Sequence, residues 1–400
     1  MGETRHSSSG VKRSRMLVSI ILLASLAVIL INQISGAKPN PRPTDTTGTP
    51  SVTTQGSQTA APTASPATSA PIRDLSIQTA APLREPGAAQ PEMMRWPASS
   101  SVETVRTVDL AAYLGKSRSD KPLEGITVVL DPGHGGIDSG CGWPVGVRDQ
   151  DIMEKDVVLS VAQSASQALR TLGANVILLR EDDTFLSIFE RPALVGSMLL
   201  EDFTRHTQSS ELGIGPLARL TPLLDSIVSA NDDLFGGVMG GSGTREDLKQ
   251  IMDIERQYPD WLLISIHCNA AADYPDVHGL QVYYTSSAVI LHDERIECQS
   301  LPSSDWEPSY QYYDDGGRMR LASLLYDSIV SEVPALGQGT SAPLVDQDFA
   351  VLREQNLVSA MLELGFLTNE SDRSVLESAS SLERLGDAVA DAVYSYYCMR

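Results

Sequence analysis

Four residues of this 400-residue chain have the types and settings that metal-assisted hydrolysis requires: His134, Glu154, His267 and Glu363. His134 lies in Asp131-Pro132-Gly133-His134-Gly135-Gly136, directly after the apolar run Ile126–Leu130. Such a run reads as a buried strand, and the Pro and Gly end it. The imidazole is thereby put at the strand's C-terminal edge, where open α/β sheets bind their ligands. His267, in Ser265-Ile266-His267-Cys268-Asn269-Ala270, repeats that placement after a second apolar run starting at Trp261. Glu154 opens a helical pattern, and a helix N-terminus keeps a carboxylate ionised, as a metal ligand must be. Two imidazoles and one carboxylate form the His₂Glu set of a catalytic zinc site, with the fourth position left to water.

Glu363 closes the apolar run Leu357–Leu362. A carboxylate there is costly to bury unless it is paired or shifts its pKa. Beside an activated water it serves as general base and then as acid. Each residue alone also has an ordinary reading: a solvated loop His, a first-turn Glu, a Glu paired with Arg353. Asp131, Asn269 and Asn369 are candidates for supporting the site, or else plain turn residues.

The elements that must position these groups alternate. After the first strand, Asp156–Leu172 reads as an amphipathic helix, with Val158, Val161, Ala162, Ala165 and Leu169 at three- and four-residue steps and Gly173 beyond its end. Strands follow at Asn175–Leu179, Trp261–Ile266, Leu280–Tyr284 and Leu357–Leu362, with helices at Arg318–Val333 and Leu382–Tyr396. Strand–helix–strand order implies parallel pairs joined by right-handed crossovers, hence an α/β sandwich. The stretch between Arg191 and Asp260 breaks the rhythm, with helices expected around Leu217–Ala230 and Arg245–Gln257. A short strand is conceivable at Thr104–Val108, and the folded domain is expected to begin near Leu123.

Composition is uneven. A basic tail, residues 1–15, precedes an uncharged apolar run from Met16 to Ile31. That order marks residues 16–34 as a signal peptide or a signal anchor. Residues 38–122, rich in Pro, Thr, Ser and Ala, read as a disordered linker with too little apolar surface to fold. The chain is therefore expected outside the cytoplasm, membrane-anchored at the cell envelope or secreted if cleaved. A formal net charge of −21 argues against nucleic acid and anionic lipid as partners. The four cysteines, Cys141, Cys268, Cys298 and Cys398, have no CxxC spacing; disulfides are compatible with export, and their pairing stays open.

Taken together, Asp131–Gly136, Glu154-Lys155-Asp156-Val157, Ser265–Ala270 and Glu363-Leu364-Gly365-Phe366-Leu367-Thr368-Asn369 resemble the motifs of the zinc-dependent N-acetylmuramoyl-L-alanine amidases, type 3 catalytic domain. The resemblance implies a three-layer α/β/α sandwich with a mixed, mostly parallel sheet over residues 123–400. It also implies one zinc ion on His134, Glu154 and His267, Glu363 as the catalytic carboxylate, and peptidoglycan as substrate. Cys268 stands where relatives usually have Ala or another small residue. The stretch 192–258 looks like an insertion beside the cleft that shapes the glycan groove or caps it under the control of a regulatory protein. In the capping case its removal over 196–245 would raise basal activity. Two rival functions are a zinc peptidase cutting within the stem peptide and a non-catalytic wall-binding regulator.

Overall fold

The protein's computed structural model describes residues 102, 104–147, 150–207, 217–233, 237–240, 243–244, 248–298, 313–340 and 342–399. The expected signal or anchor at 16–34 and the linker up to residue 101 lie outside the described residues. No helix among the described residues is long and apolar enough to cross a membrane.

Six strands form the main sheet: β1 (Thr127–Pro132), β2 (Asn175–Leu178), β3 (Trp261–Asn269), β4 (Gln281–Tyr284), β5 (Leu344–Asp346) and β6 (Val358–Phe366). Their spatial order is β2-β1-β3-β6-β4-β5. The first four run parallel. β4 is antiparallel to β6, and β5 is parallel to β4. The sheet is thus mixed and mostly parallel, as expected. Its central strands β1, β3 and β6 are buried along nearly their whole length, which is why their sequences are continuous apolar runs.

The helices are α1 (Glu154–Thr171), α2 (Glu190–Thr207), α3 (Leu220–Ala230), α4 (Lys249–Glu255) and α5 (Ser287–Cys298). They continue with α6 (Asp315–Glu332), α7 (Ala350–Arg353), α8 (Glu370–Leu376) and α9 (Ala379–Cys398). Side-chain alternation along the strands divides the interior into two cores. Val128, Leu130, Leu262, Ile264 and Ile266 pack with Val158 and Val161 of α1, Leu321 and Leu325 of α6, and Val389 and Val393 of α9. Val129 and Leu263 face the other way, onto Leu199 and Phe203 of α2, Leu224 and Ile227 of α3, and Ile251 and Met252 of α4. Helices therefore cover both faces.

Three expectations are corrected. Thr104–Val108 is not a strand: this segment has no regular structure and is held by side chains, with Val105 N–H donating to Gln257 Oε1 at 3.0 Å. Packing consequently starts ahead of Leu123, since Val102 and Val105 already touch the second core. The stretch 192–258, expected as an insertion beside the cleft, instead supplies α2, α3 and α4, whose buried apolar residues make up much of the helical side of the second core together with Val351 and Leu352 of α7.

Candidate metal centre

β1 ends at Pro132, and the chain then turns through His134 (φ 58°), Gly135 (φ 125°) and Gly136 (φ 57°). A non-glycine residue in this left-handed region is strained and persists only where its surroundings fix it. Two buried arginines do so. Arg180 donates to the carbonyls of Pro132 and Gly133, each at 2.9 Å, and to that of Lys155 at 2.7 Å. Arg191 donates to Pro132 and His134 carbonyls at 2.9 Å and pairs with the fully buried Asp131. Gly133 permits the close approach that follows: a Cβ there would lie 2.1 Å from Cε1 of His267.

On this loop His134 points Nε2 at Oε1 of Glu154, 3.0 Å away. His267 Nδ1 lies 3.0 Å from the same oxygen and 3.2 Å from His134 Nε2. The two rings meet edge to face at 80°. One ligand atom from each of His134, Glu154 and His267 falls within 4.8 Å of the others, the spacing needed to hold a metal ion. β3 extends through His267 to Asn269, so this imidazole projects from the strand itself rather than from a following loop. Glu154 is the first residue of α1 and is buried, with Oε2 accepting from the Cys141 amide at 2.8 Å and Oε1 from the Cys268 amide at 2.9 Å.

The charges reinforce one another. Burial opposes ionisation of Glu154, yet hydrogen bonds from the two imidazoles hold its pKa well below the ordinary range. Burial likewise opposes a charged His134, but its bonds to Asp138 and Glu154 win and raise its pKa to about 10. An anionic oxygen facing two imidazole nitrogens is the kind of donor arrangement that suits a divalent cation, whose binding requires the ligand atoms to be free of protons.

Glu363 stands opposite His267 in the β3–β6 register and opposite Gln281 of β4. It forms no part of the three-ligand cluster. Its Oε2 is shut off from solvent and has no hydrogen-bond partner among the described residues. Burial and the neighbouring charge of Glu154 push its pKa well above the carboxylate range, with His134 pulling slightly the other way. The alternative partner for Glu363 is occupied elsewhere, as Arg353 pairs with Asp348 and Glu354.

The other candidates divide. Asp131 bonds Arg191 and Ser265 Oγ (2.7 Å), so it steadies the His134 loop. Asn269 reaches Gln281 Oε1 at 3.3 Å, beside Glu363. Asn369 caps α8 by accepting from the Ser371 and Asp372 amides and donates to the Pro275 carbonyl. Cys268 is buried in the first core, and the Cys141 thiol donates to its carbonyl at 3.2 Å. Cys141, Cys268 and Cys398 are all free thiols. Two residues at the site were not among the expected ones: Arg180, and Asp138, whose Oδ2 lies 2.7 Å from Nδ1 of His134. The only available clue to Asp138 was its place four positions after the histidine in a glycine-rich loop.

Two imidazoles and a carboxylate meet at the C-terminal rim of a mostly parallel sheet, one strand from the buried Glu363, and make a candidate metal site in an α/β protein. Residues 128–203 and 227–395 match the family described as N-acetylmuramoyl-L-alanine amidase, and the chain belongs to that family. It is 26% identical over 282 residues to the uncharacterized protein YqiI of Bacillus subtilis, covering 70% of this chain and 89% of that one. It is 23% identical over 276 residues to the N-acetylmuramoyl-L-alanine amidase LytC of the same organism, covering 69% of this chain but 36% of LytC. Among solved structures, the N-acetylmuramoyl-L-alanine amidase of Clostridium difficile 630 aligns at 22% identity and a TM-score of 0.41 over 68% of this chain and 96% of that one.

Proposed function

We propose that the domain hydrolyses the amide joining the lactoyl carbonyl of N-acetylmuramic acid to L-alanine in peptidoglycan. His134, Glu154 and His267 would hold one zinc ion, and Glu363 would carry the proton. The observation that supports this most is the pairing of a compact N, N, O donor set with a buried carboxylate oxygen that has no hydrogen-bond partner among the described residues. The donors suit zinc, being three in number and leaving a position for water. When bound, zinc lowers the pKa of water and polarises the scissile carbonyl.

The chain's own groups account for the rest. Glu154, oriented by the Cys141 and Cys268 amides and held ionised by the two imidazoles, stays a ligand at neutral pH. Glu363 takes a proton from the attacking water as its hydroxyl adds to the carbonyl carbon. It then returns that proton to the alanine nitrogen as the C–N bond breaks. A carboxyl group raised above its usual range is suited to both halves of this exchange. Action on the wall places the domain outside the cytoplasm, and residues 16–34 would anchor it there if retained. A regulatory protein, if there is one, would act on the 192–258 stretch, within which the family match skips residues 204–226.

Zinc content and mass spectrometry of digested muropeptides test this, on wild type and on Glu363→Ala. Wild type should hold about one zinc per chain and release stem peptides with a free L-alanine amine. The variant should keep zinc and lose roughly 10²–10⁴-fold in rate. Release of a D-amino acid would favour a stem-peptide zinc peptidase instead. A wild type that binds wall but holds no zinc, unaffected by His134→Ala, would favour a wall-binding regulator.

A further inference from the structure

The zinc reading leaves one exposed acidic side chain unexplained. Asp138 reaches Nδ1 of His134, the ring nitrogen turned away from Glu154, at 2.7 Å. Its side chain is 45% exposed, and an exposed ion pair of this kind ordinarily contributes roughly 0–1 kcal/mol. Three further contacts set this pair apart. The second oxygen, Oδ1, accepts from the Gly140 amide at 3.0 Å. The backbone of Asp138 is tied to Gly135 in both directions, its N–H donating at 3.0 Å and its carbonyl accepting at 2.9 Å. The carboxylate is therefore fixed to the same strained turn that carries the imidazole.

We propose that Asp138 is a positioning residue for the metal centre: it orients the His134 ring and assigns the Nδ1 proton, so that Nε2 is the nitrogen presented to zinc. This rests on His134, Glu154 and His267 being the zinc ligands. A metal-bound imidazole whose outer N–H meets a carboxylate is held in one tautomer and one orientation, and losing such a partner costs about 10–100-fold in metal affinity. Packing alone does not fix the tautomer. Gly140 crowds Cδ2 of the ring, where an added Cβ would lie 2.7 Å away, but neither ring nitrogen is distinguished by that contact.

The test uses the full chain stripped of metal and titrated with Zn²⁺ against a competing chelator, for wild type, Asp138→Ala and Asp138→Asn. The melting temperature of each metal-free protein is recorded alongside. Asp138→Ala should bind Zn²⁺ about 10–100-fold more weakly. Asp138→Asn, which keeps an acceptor for Nδ1–H but not the charge, should fall between it and wild type. A Co²⁺-loaded sample should show a changed visible spectrum in Asp138→Ala, reporting altered ligand geometry rather than lost stability. If both variants bind Zn²⁺ within about threefold of wild type, Asp138 only braces the turn and the proposal is wrong, even if melting falls. If Asp138→Ala does not fold, the affinity of Asp138→Asn decides the matter by the same threshold. Should wild type itself bind no Zn²⁺, the ligand assignment fails and this proposal with it. Wild type that binds normally beside unaffected variants overturns Asp138 alone.

Discussion

Arg191 and Asp131 form a buried ion pair beneath the His134 loop, and neither partner has water to fall back on. Arg191→Ala would leave the Asp131 carboxylate charged in the interior with only the Ser265 hydroxyl to stabilise it. Breaking a buried pair from one side costs about 3–5 kcal/mol, so urea unfolding should show a loss of that order, and zinc uptake should weaken as the loop relaxes. A loss under about 1 kcal/mol would mean that the pair is not the brace described. The meeting of His134, Glu154 and His267 at one rim, with Glu363 on the neighbouring strand, was legible in the sequence because a reactive residue type coincided with an element boundary or an apolar run. Asp138, Arg180 and the bracing role of Arg191 were not, since their work is done through backbone carbonyls and a left-handed turn that no residue type announces.

Helices α9 and α1 touch at Gly386, where an added Cβ would lie 2.5 Å from Cβ of Ser164 and 2.6 Å from the Ala165 nitrogen. Gly386→Ala should therefore destabilise by about 1–3 kcal/mol through overpacking, visible as a lower melting temperature with zinc content unchanged. Deleting 196–245 removes Leu199, Phe203, Leu224 and Ile227 from the second core, so insoluble or unfolded protein is the expected outcome, in place of the rise in basal activity that a dispensable cap would give. Solubility and circular dichroism check this. The long periodic helices and central strands were readable in advance, to within a few residues, from Val158-to-Leu169 and Leu357-to-Leu362 patterning. α2 was not, because Arg191-Pro192 at its start and Gly196 within it imitate a loop, and only the core it covers makes it a helix.

At the scale of the whole domain, one group through which pH acts is Glu255, a buried carboxyl that burial pushes up to about 8 against the ordinary 4.5. Between those values the folded state holds a proton that the unfolded chain has released. Stability from this group therefore falls as pH rises through that window and levels off above it. Glu255→Gln should remove this slope, of roughly 1.4 kcal/mol per pH unit at most, and the difference between wild type and variant in urea midpoints from pH 5 to pH 9 measures it. A difference that stays flat with pH would contradict the assignment. The strap at 104–109 acts on the same large scale. Arg106 grips Asp260 and lies 4.3 Å over the Tyr258 ring, just ahead of the first residue of β3. Asp131 and His267, by contrast, mark the far ends of the strands. Residues 104–109 therefore clasp the sheet where its parallel strands begin, on the side of the molecule opposite the rim that carries His134, Glu154 and His267.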